Sequence, residues 1–147
     1  MSRLTDIDNY LVVENGQIKE STFKQDIQIQ NQTLTINEDA KVQIIYKVTQ
    51  EGDYRFNITL KERLHVDLIE MYEVSTKCRF TKNIKVNESC EVLRYVEKNS
   101  QENISIDLDE NVDVCANAHI SCAYVELTDY STFSKVKYQL LEEGASA

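Results

Sequence analysis

A cysteine, a histidine and a second cysteine lie close together in the last third of the chain. Cys115, His119 and Cys122 form a C-x3-H-x2-C pattern, and thiolate and imidazole groups are common ligands of zinc and of iron-sulfur clusters. On an extended strand, alternate residues face opposite sides, so Cys122 would point away from the other two. The three residues are candidate cofactor ligands. Because no second ligand pair accompanies them, a structural role as small buried side chains is favoured.

An acidic run close to these residues imitates part of a calcium-binding loop. Oxygen-bearing side chains recur at alternate positions from Asp107 to Asp113, as they do in an EF-hand loop. Val112 replaces the glycine that such a loop needs at its sharp turn, and Ala118 replaces the closing glutamate. We therefore interpret the run as a solvated acidic corner and expect no metal site.

Catalytic motifs are missing from the sequence. The chain has two histidines, His65 and His119, and neither is combined with a nucleophile and an orienting group in a recognisable pattern. It contains no glycine-rich phosphate loop and no G-x-S-x-G motif. We expect no catalytic residues and a protein that is not an enzyme.

A sequence repeat indicates which structural elements position these residues. Each copy starts with an apolar residue, has glutamate at its third position and ends in valine or alanine, as in INEDAKV, LKERLHV, VNESCEV, LDENVDV and LEEGASA. The separations between the shared glutamates are 62−38=24, 88−62=26, 110−88=22 and 143−110=33 for Glu38, Glu62, Glu88, Glu110 and Glu143. A period of about two dozen residues is typical of a solenoid.

Alternation of apolar and polar residues predicts strands between the repeat copies. Apolar residues occupy every second position of the ranges 42–48, 54–60 and 104–108, which is the period of a half-buried strand. We predict an all-β fold, a right-handed parallel β-helix that forms a flattened solenoid with about two strands per coil. The alternative is an antiparallel β meander or sandwich, but its tight hairpins would want glycine, of which the chain has three.

Stacking the five copies predicts which side chains face the interior. Two columns are expected inside: Ala40, Leu64, Cys90, Val112 and Ala145, and then Val42, Val66, Val92, Val114 and Ala147. The polar column between them is expected to face water: Lys41, His65, Glu91, Asp113 and Ser146. The five glutamates are expected to form an exposed acidic edge, because carboxylates stacked about 4.8 Å apart repel each other unless water screens them.

The chain is expected to form one domain with a polar start. Residues 1–33 are interpreted as an N-terminal capping segment that contains a hairpin turn at Asn15-Gly16. Residues 34–147 are expected to form the β-helix core and to end within a repeat. The range 131–141 fits a helix or a strand, and we choose the strand because Val136, Tyr138 and Leu140 alternate.

Composition excludes some partners. With a formal charge of −9, the chain repels phosphate backbones and anionic lipid, so we expect neither a nucleic-acid nor a membrane partner. The N-terminal residues lack the apolar stretch of a signal peptide. We expect a cytoplasmic protein whose four cysteines are reduced thiols.

Three segments resemble the SufB/SufD family of iron-sulfur cluster assembly scaffolds. They are LHVDLIEMYEV at 64–74, VNESCEVLRYVEKNSQENISIDL at 86–108 and AYVELTDYSTFSKVKYQLLEEGASA at 123–147. The similarity lies in alternating strands and corners, with LLEEGASA resembling the family's last corner. It extends roughly from Ile27 to the end of the chain.

The resemblance implies a SufD-like scaffold of the SUF system with a non-catalytic interaction role. The implied partners are a SufC-type ABC ATPase and a SufB/SufD paralogue, and the implied cofactor is an iron-sulfur cluster held only together with partners. No site residue is transferred from the family. The alternative function is a structural β-solenoid interaction module without cluster chemistry, which self-associates through an open C-terminal coil.

Overall fold

In the computed structural model, every regular element of the described residues is a β-strand. The structure describes residues 7–100, 104, 106–127 and 133–147, and this part of the chain contains no helix that could cross a membrane. Its strands are β1 (Asn9–Glu14), β2 (Gln17–Thr22), β3 (Ile27–Gln30), β4 (Thr33–Ile36), β5 (Ala40–Val48), β6 (Gly52–Leu60), β7 (His65–Val74), β8 (Cys78–Val86), β9 (Glu91–Ser100), β10 (Ile106–Val114), β11 (His119–Leu127) and β12 (Phe133–Leu140).

The strands form two sheets of six. Sheet 1 has the order β11-β9-β7-β5-β1-β2, and sheet 2 has the order β12-β10-β8-β6-β4-β3. Strands that follow each other from β4 onwards alternate between the sheets, so each strand pairs in parallel with the one two places later. This is a solenoid with two strands per coil. The predicted solenoid is confirmed, and the antiparallel meander is wrong.

The N-terminal end of the solenoid carries antiparallel strands. β2 pairs antiparallel with β1 through the predicted turn, where Asn15 has φ 49° and Gly16 has φ 77°. β3 pairs in the same manner with β4, so β2 and β3 are the outermost strands of the two sheets. β1 itself pairs in parallel with β5, and its Leu11 and Val13 belong to the core. The described part of the segment 1–33 therefore contributes both an edge and part of the interior.

In-register ladders of apolar side chains fill the space between the sheets. In sheet 2, Leu60, Val86 and Val114 lie in one row and are fully buried. Aromatic rings fill the centre, where Tyr46 stacks on Tyr72 with 4.6 Å between the ring centroids. The predicted inward positions Val42, Val66, Val92 and Val114 are confirmed, as is Cys90, whereas Ala147 is exposed. Burial of large apolar side chains contributes about 1.5–3 kcal/mol each.

One of the five predicted corners is wrong. LDENVDV is the interior of β10 rather than a corner, and its Glu110 is buried, whereas Glu38, Glu62, Glu88 and Glu143 are exposed as expected. The register of the first copy also differs, since Ala40 pairs with Val66. The prediction failed because a strand with a buried glutamate has the same alternation as a corner followed by a strand.

Left-handed backbone conformations mark the real corners. Arg63, Ser89, Asn117 and Gly144 all have positive φ, at 62°, 58°, 57° and 79°. Their separations are 89−63=26, 117−89=28 and 144−117=27, so the irregular spacing of 33 disappears. The corners also stack: the amide of Arg63 donates to the carbonyl of Glu88 at 2.8 Å. Glycine is favoured at 144, because φ is 79° there and a Cβ would clash with the side chain of Asn117 unless that side chain moved.

Candidate functional site

Five charged side chains are buried within the described residues, and four of them contact one another in the interior of the solenoid. The fifth, Lys98, lies 5.5 Å from the ring centroid of Tyr124. Glu70 of β7, Lys82 of β8, Arg94 of β9 and Glu110 of β10 have fully buried side chains. They come from four consecutive strands, two in each sheet. Charged side chains are rarely buried unless they are paired. We call these four residues the buried network.

Strand alternation places each member of the buried network inside. Glu70 follows Leu68 by two positions and precedes Tyr72 by two, and both neighbours are buried. The other three members lie between buried apolar residues in the same manner, at 80 and 84, 92 and 96, and 108 and 112. Because alternate residues share a face, forming these strands forces the charges inward.

Arg94 links the two carboxylates. Its Nη1 and Nη2 donate to the two carboxylate oxygens of Glu110 at 2.6 and 2.7 Å. Its Nε donates to Oε2 of Glu70. A bidentate guanidinium–carboxylate pair is among the strongest charge-assisted hydrogen-bond arrangements. Sheet 1, which supplies Glu70 and Arg94, is thereby joined to Glu110 of sheet 2.

Lys82 supplies the second cation. Its ammonium donates to Oε1 of Glu70 and lies 3.7 Å from Oε1 of Glu110. It also lies over two aromatic rings, 4.2 Å from the centroid of Tyr46 and 4.8 Å from that of Tyr72. Aromatic faces attract cations, and more strongly where water is excluded. Lys82 is thus held by two carboxylates and two rings.

Tyrosine hydroxyls extend the buried network towards the last coil. The hydroxyl of Tyr46 donates to Oε1 of Glu70 at 2.7 Å. At the other side, Tyr124 accepts from Nη1 of Arg94 and donates to Oε2 of Glu110, each at 3.2 Å. The hydroxyls of Tyr124 and Tyr138 are also 3.2 Å apart. Since Tyr124 is 38% exposed, hydrogen bonds connect the deep interior to the surface.

The charges of the buried network balance and fix its protonation. Burial acts to raise the pKa of the Glu70 carboxyl, but Arg94 and Lys82 outweigh it and hold that pKa at about 2. The pKa of Glu110 is lowered against burial by the same two cations. Burial disfavours the charge of Arg94, yet the two carboxylates raise its pKa well above the ordinary value. Burial lowers the pKa of Lys82 in spite of Glu70 and Glu110.

Hydroxyl groups beside the buried network stay protonated. Burial raises the pKa of Tyr46 and of Tyr72 well above 10.0, and neighbouring glutamates act in the same direction. Tyr72 has the one buried side-chain polar atom, within the described residues, that finds no hydrogen-bond partner. Ionised carboxylates that accept from fixed cations are poor bases, and a guanidinium held by two carboxylates is not a nucleophile. The chemistry of this arrangement is therefore charge pairing that joins neighbouring coils.

The structure does not bring the sequence-predicted ligands together. Cys115 is buried in the corner after β10, and its Sγ lies 3.9 Å from Oδ1 of Asn87. The exposed His119 contacts Ser146 through Nδ1. Cys122 lies in β11 opposite Arg94. Across the described ranges, no group of three histidine, cysteine, aspartate or glutamate side chains is arranged to hold a metal ion.

The thiols are not activated. Burial raises the pKa of all four cysteines, that of Cys78 to about 11. The thiolate is the form that binds metals and attacks electrophiles. Cys115 and Cys122 therefore stay as protonated thiols at neutral pH.

The acidic run lies on a straight strand and not in a loop. Asp107 and Asp109 are alternate residues of β10 whose carboxylates lie 4.0 and 3.1 Å from nitrogens of Arg79 on the neighbouring β8. The interpretation as a corner is wrong, since the run belongs to the outer face of sheet 2. An extended strand cannot wrap its oxygens around one ion as an EF-hand loop does.

Sequence reasoning missed Glu70, Lys82 and Arg94 and misplaced Glu110. A signal was present, because each charge stands at a position whose neighbours two residues away are apolar. A charged residue at such a position either departs from the pattern and is exposed at the surface, or is one member of a buried ion pair. The partners are not neighbours in sequence, being 12, 24 and 16 residues apart for Lys82–Glu70, Arg94–Glu70 and Arg94–Glu110.

Comparison of the chain with protein-family models, curated proteins and solved structures finds no match. The buried network and the solenoid around it are therefore interpreted from their own geometry.

Removing one cation should destabilise the fold strongly. We expect Arg94→Met to lower the free energy of unfolding by about 3–5 kcal/mol, because it leaves two buried carboxylates with Lys82 as the one remaining cation of the buried network. Urea unfolding followed by circular dichroism measures the change. The control is Arg79→Met, which removes a cation that is 56% exposed and pairs with Asp109 at 3.1 Å, and which should cost only about 0–1 kcal/mol.

A second variant separates charge balance from packing. The variant carries five replacements: Tyr46→Phe, Glu70→Leu, Lys82→Met, Arg94→Met and Glu110→Leu. It removes all the charges of the buried network and the Tyr46 hydroxyl that depends on them. Such a replacement should be neutral or stabilising by about 1–4 kcal/mol. Similar losses for Arg94→Met and Arg79→Met would contradict the importance given to the buried network.

Acid should destabilise the fold, because folding holds the pKa of the Glu70 carboxyl low. Its carboxyl pKa is about 2 in the fold against an ordinary 4.5, so the unfolded chain takes up a proton first as the pH falls. The stabilisation is complete above pH 4.5 and is lost on the way to pH 2, a loss of about 3 kcal/mol. Urea unfolding at a series of pH values measures it. Exposed Glu62→Gln should retain this pH dependence, and the all-apolar variant should not show it.

Proposed function

We propose that this protein is a non-catalytic β-solenoid interaction module that associates with another solenoid through the end formed by β11 and β12. The observation that carries the proposal is the exposure of Leu140. This residue follows Leu60, Val86 and Val114 in the same interior row, and those three are fully buried, whereas Leu140 is 55% exposed. A core position is therefore open to water in the last described coil.

Other interior positions at this end support the proposal. Tyr124 lies in the row of Glu70 and Val96, which are fully buried, yet is itself 38% exposed. Leu141, just after β12, is 51% exposed. Clustered exposed apolar side chains mark interaction sites on proteins, and the outer edges of parallel strands offer unpaired backbone groups to a further strand.

The edge strands at the two ends of the solenoid differ in how well they are protected from pairing with a further strand. At the N-terminal end, β2 is antiparallel and has a register shift between Val12 and Val13 in its pairing with β1. It also carries Lys19, which pairs with Glu14 at 2.8 Å. Bulges and charges are devices that prevent edge pairing. At the other end, Ser146 forms a bridge with His119 on the outer side of β11, through backbone hydrogen bonds of 3.1 Å from Ile120 and 2.9 Å to Ala118.

Self-association should depend on the β12 end. We expect the sedimentation coefficient to increase with protein concentration, and Leu140→Glu to weaken the association at least about tenfold, which is 1.4 kcal/mol. Sedimentation velocity over a range of concentrations measures both. The control is Ile18→Glu, an exposed apolar residue of β2 at the other end, which should leave association unchanged. A wild-type protein that stays monomeric throughout contradicts the proposal.

The finer proposal is a SufD-like scaffold role in iron-sulfur cluster assembly in the cytoplasm. It is supported by the resemblance of the segments 64–74, 86–108 and 123–147 and by a solenoid of the kind that this resemblance implies. Its partners would be a SufC-type ABC ATPase and a SufB/SufD paralogue, and a cluster would be held only in their presence. The candidate ligands come from the C-x3-H-x2-C spacing and not from the family: Cys115, His119 and Cys122, which the structure of the single chain does not bring together.

The scaffold proposal is tested with the full chain and its proposed partners. We expect an immobilised SufC-type ATPase to retain the protein, and anaerobic addition of iron and sulfide to give cluster absorbance only when the paralogue is present. Replacing Cys115 and Cys122 by serine should then reduce the absorbance if they are ligands, whereas Cys78→Ser should not. If the ATPase does not retain the protein and no cluster absorbance appears, the SUF role is contradicted. That outcome does not bear on the end-to-end association.

A further inference from the structure

The two outer faces of the solenoid differ in chemistry. On sheet 2, the centre of the face is an asparagine ladder in which Asn83 donates to Asn57 at 3.0 Å and Asn111 donates to Asn83 at 3.3 Å. Lys85 and Asp113 lie in the adjacent row. The outer face of sheet 2 is thus polar and suited to water.

The outer face of sheet 1 carries an apolar stripe instead. Ile69 of β7, Tyr95 of β9 and Ala123 of β11 face outwards in one row. The adjacent row contains Leu93, which is 63% exposed and is the most exposed of the large hydrophobic side chains described. An outward-facing leucine at the centre of a sheet costs solubility without contributing to the core.

Part of this stripe is covered and part is open. Towards β1, the outward residues Tyr10, Val12, Ile45 and Met71 are at most 8% exposed and form a cluster of their own. Towards β11, the stripe opens into a groove of about 380 Å³. We call this the outer groove, and its outward residues are Lys41, Asp67, Ile69, Leu93, Tyr95, Ser121 and Ala123.

Carboxylates flank the outer groove. Asp67 lines it, and Glu91 and Glu97 lie two positions before Leu93 and two after Tyr95, on the same face of β9. Lys41 is the outward cation of the lining and is the register partner of Asp67, and the imidazole of His65 lies 3.3 Å from the carboxylate of Glu91. With a formal charge of −9 on the chain, the surrounding field attracts cations. An apolar centre with a charged rim is the usual anatomy of a protein interface.

We propose that the outer groove is the docking surface for a cationic amphipathic helix of a partner protein. The groove spans β7, β9 and β11, three strands at about 4.8 Å spacing, or about 10 Å across. That width matches one α-helix, whose diameter with side chains is about 10–12 Å. A helix with one apolar stripe would cover Leu93 and Tyr95, and its flanking lysines or arginines would meet Asp67, Glu91 and Glu97.

Charge and sheet geometry argue against three other occupants of the outer groove. A second copy of the chain would bring the same carboxylate rim against this one. An anionic membrane would be repelled by the net charge of −9. An added β-strand needs a sheet edge and not a sheet face. The inference is independent of the end-to-end association, which uses β11 and β12 edges and not the face of sheet 1.

A designed peptide tests the proposal with the full chain. The probe is a leucine–lysine peptide of about 18 residues, or five helical turns, with its leucines in one stripe. Two controls share its length: the same residues in scrambled order, and the same stripe with glutamate for lysine. We expect saturable binding of the probe and at least about tenfold weaker binding of each control by isothermal titration calorimetry. Hydrogen exchange should slow in β7, β9 and β11 and not in β8 or β10.

Two matched variants locate the contact. Leu93→Asp and Asn83→Asp each add one carboxylate to an outward position, one on each sheet. We expect Leu93→Asp to weaken probe binding about tenfold although its charge attracts lysine, and Asn83→Asp to leave binding unchanged. The proposal is overturned by equal binding of the scrambled peptide, by equal effects of the two variants, by protection confined to the β11–β12 end, or by tighter binding to vesicles of anionic lipid. Binding weaker than about 1 mM overturns it as well.

Discussion

The balance of charge between Glu70, Lys82, Arg94 and Glu110 constrains the whole interior. Two carboxylates and two cations from β7, β8, β9 and β10 are closed off from water together. A buried ion is tolerable only with its partner in place, because the desolvation cost per ion is several kcal/mol. A shift of one coil by a single residue would turn its charge to the outside and leave the others unpaired. The buried network therefore selects one register among the many that a repetitive apolar ladder would accept.

Stacked coils have two kinds of surface, the ends and the outer faces, and in this protein the two differ in chemistry. The ends arise because every coil covers the previous one, so the last described coil exposes Leu140 at a position that is buried in the preceding coils. The faces arise because alternate residues of each strand point outwards. Polar ladders make one face compatible with water, whereas the other face has an apolar stripe through Leu93 and Tyr95. The proposed association through the end and the proposed docking on the face therefore use separate surfaces.

The architecture was predictable from the sequence to the extent that it depends on local pattern. Alternation in 42–48 and 54–60 predicts strands, and the shortage of glycine favours wide corners over hairpins. The turn at Asn15-Gly16 needs two positive φ angles, which these residues accept readily. The phase of the fourth repeat was not predictable in this way, because LDENVDV alternates equally well as a corner or as the middle of β10. Only the position of Arg94 beside Glu110 distinguishes them.

The sequence by itself determined which side chains share a face, since that follows from the period of two in every strand. It also determined the hairpin turn at Asn15-Gly16, whereas the left-handed corner at Asn117 was found only in the structure. Tertiary structure alone decided which charges meet. Glu70 contacts Arg94 across 24 residues and Lys82 across 12, and these contacts exist only once adjacent coils and opposite sheets are assembled. The physical reason is that an inward charge looks the same in sequence whether or not its partner is present, while its free energy depends entirely on that partner.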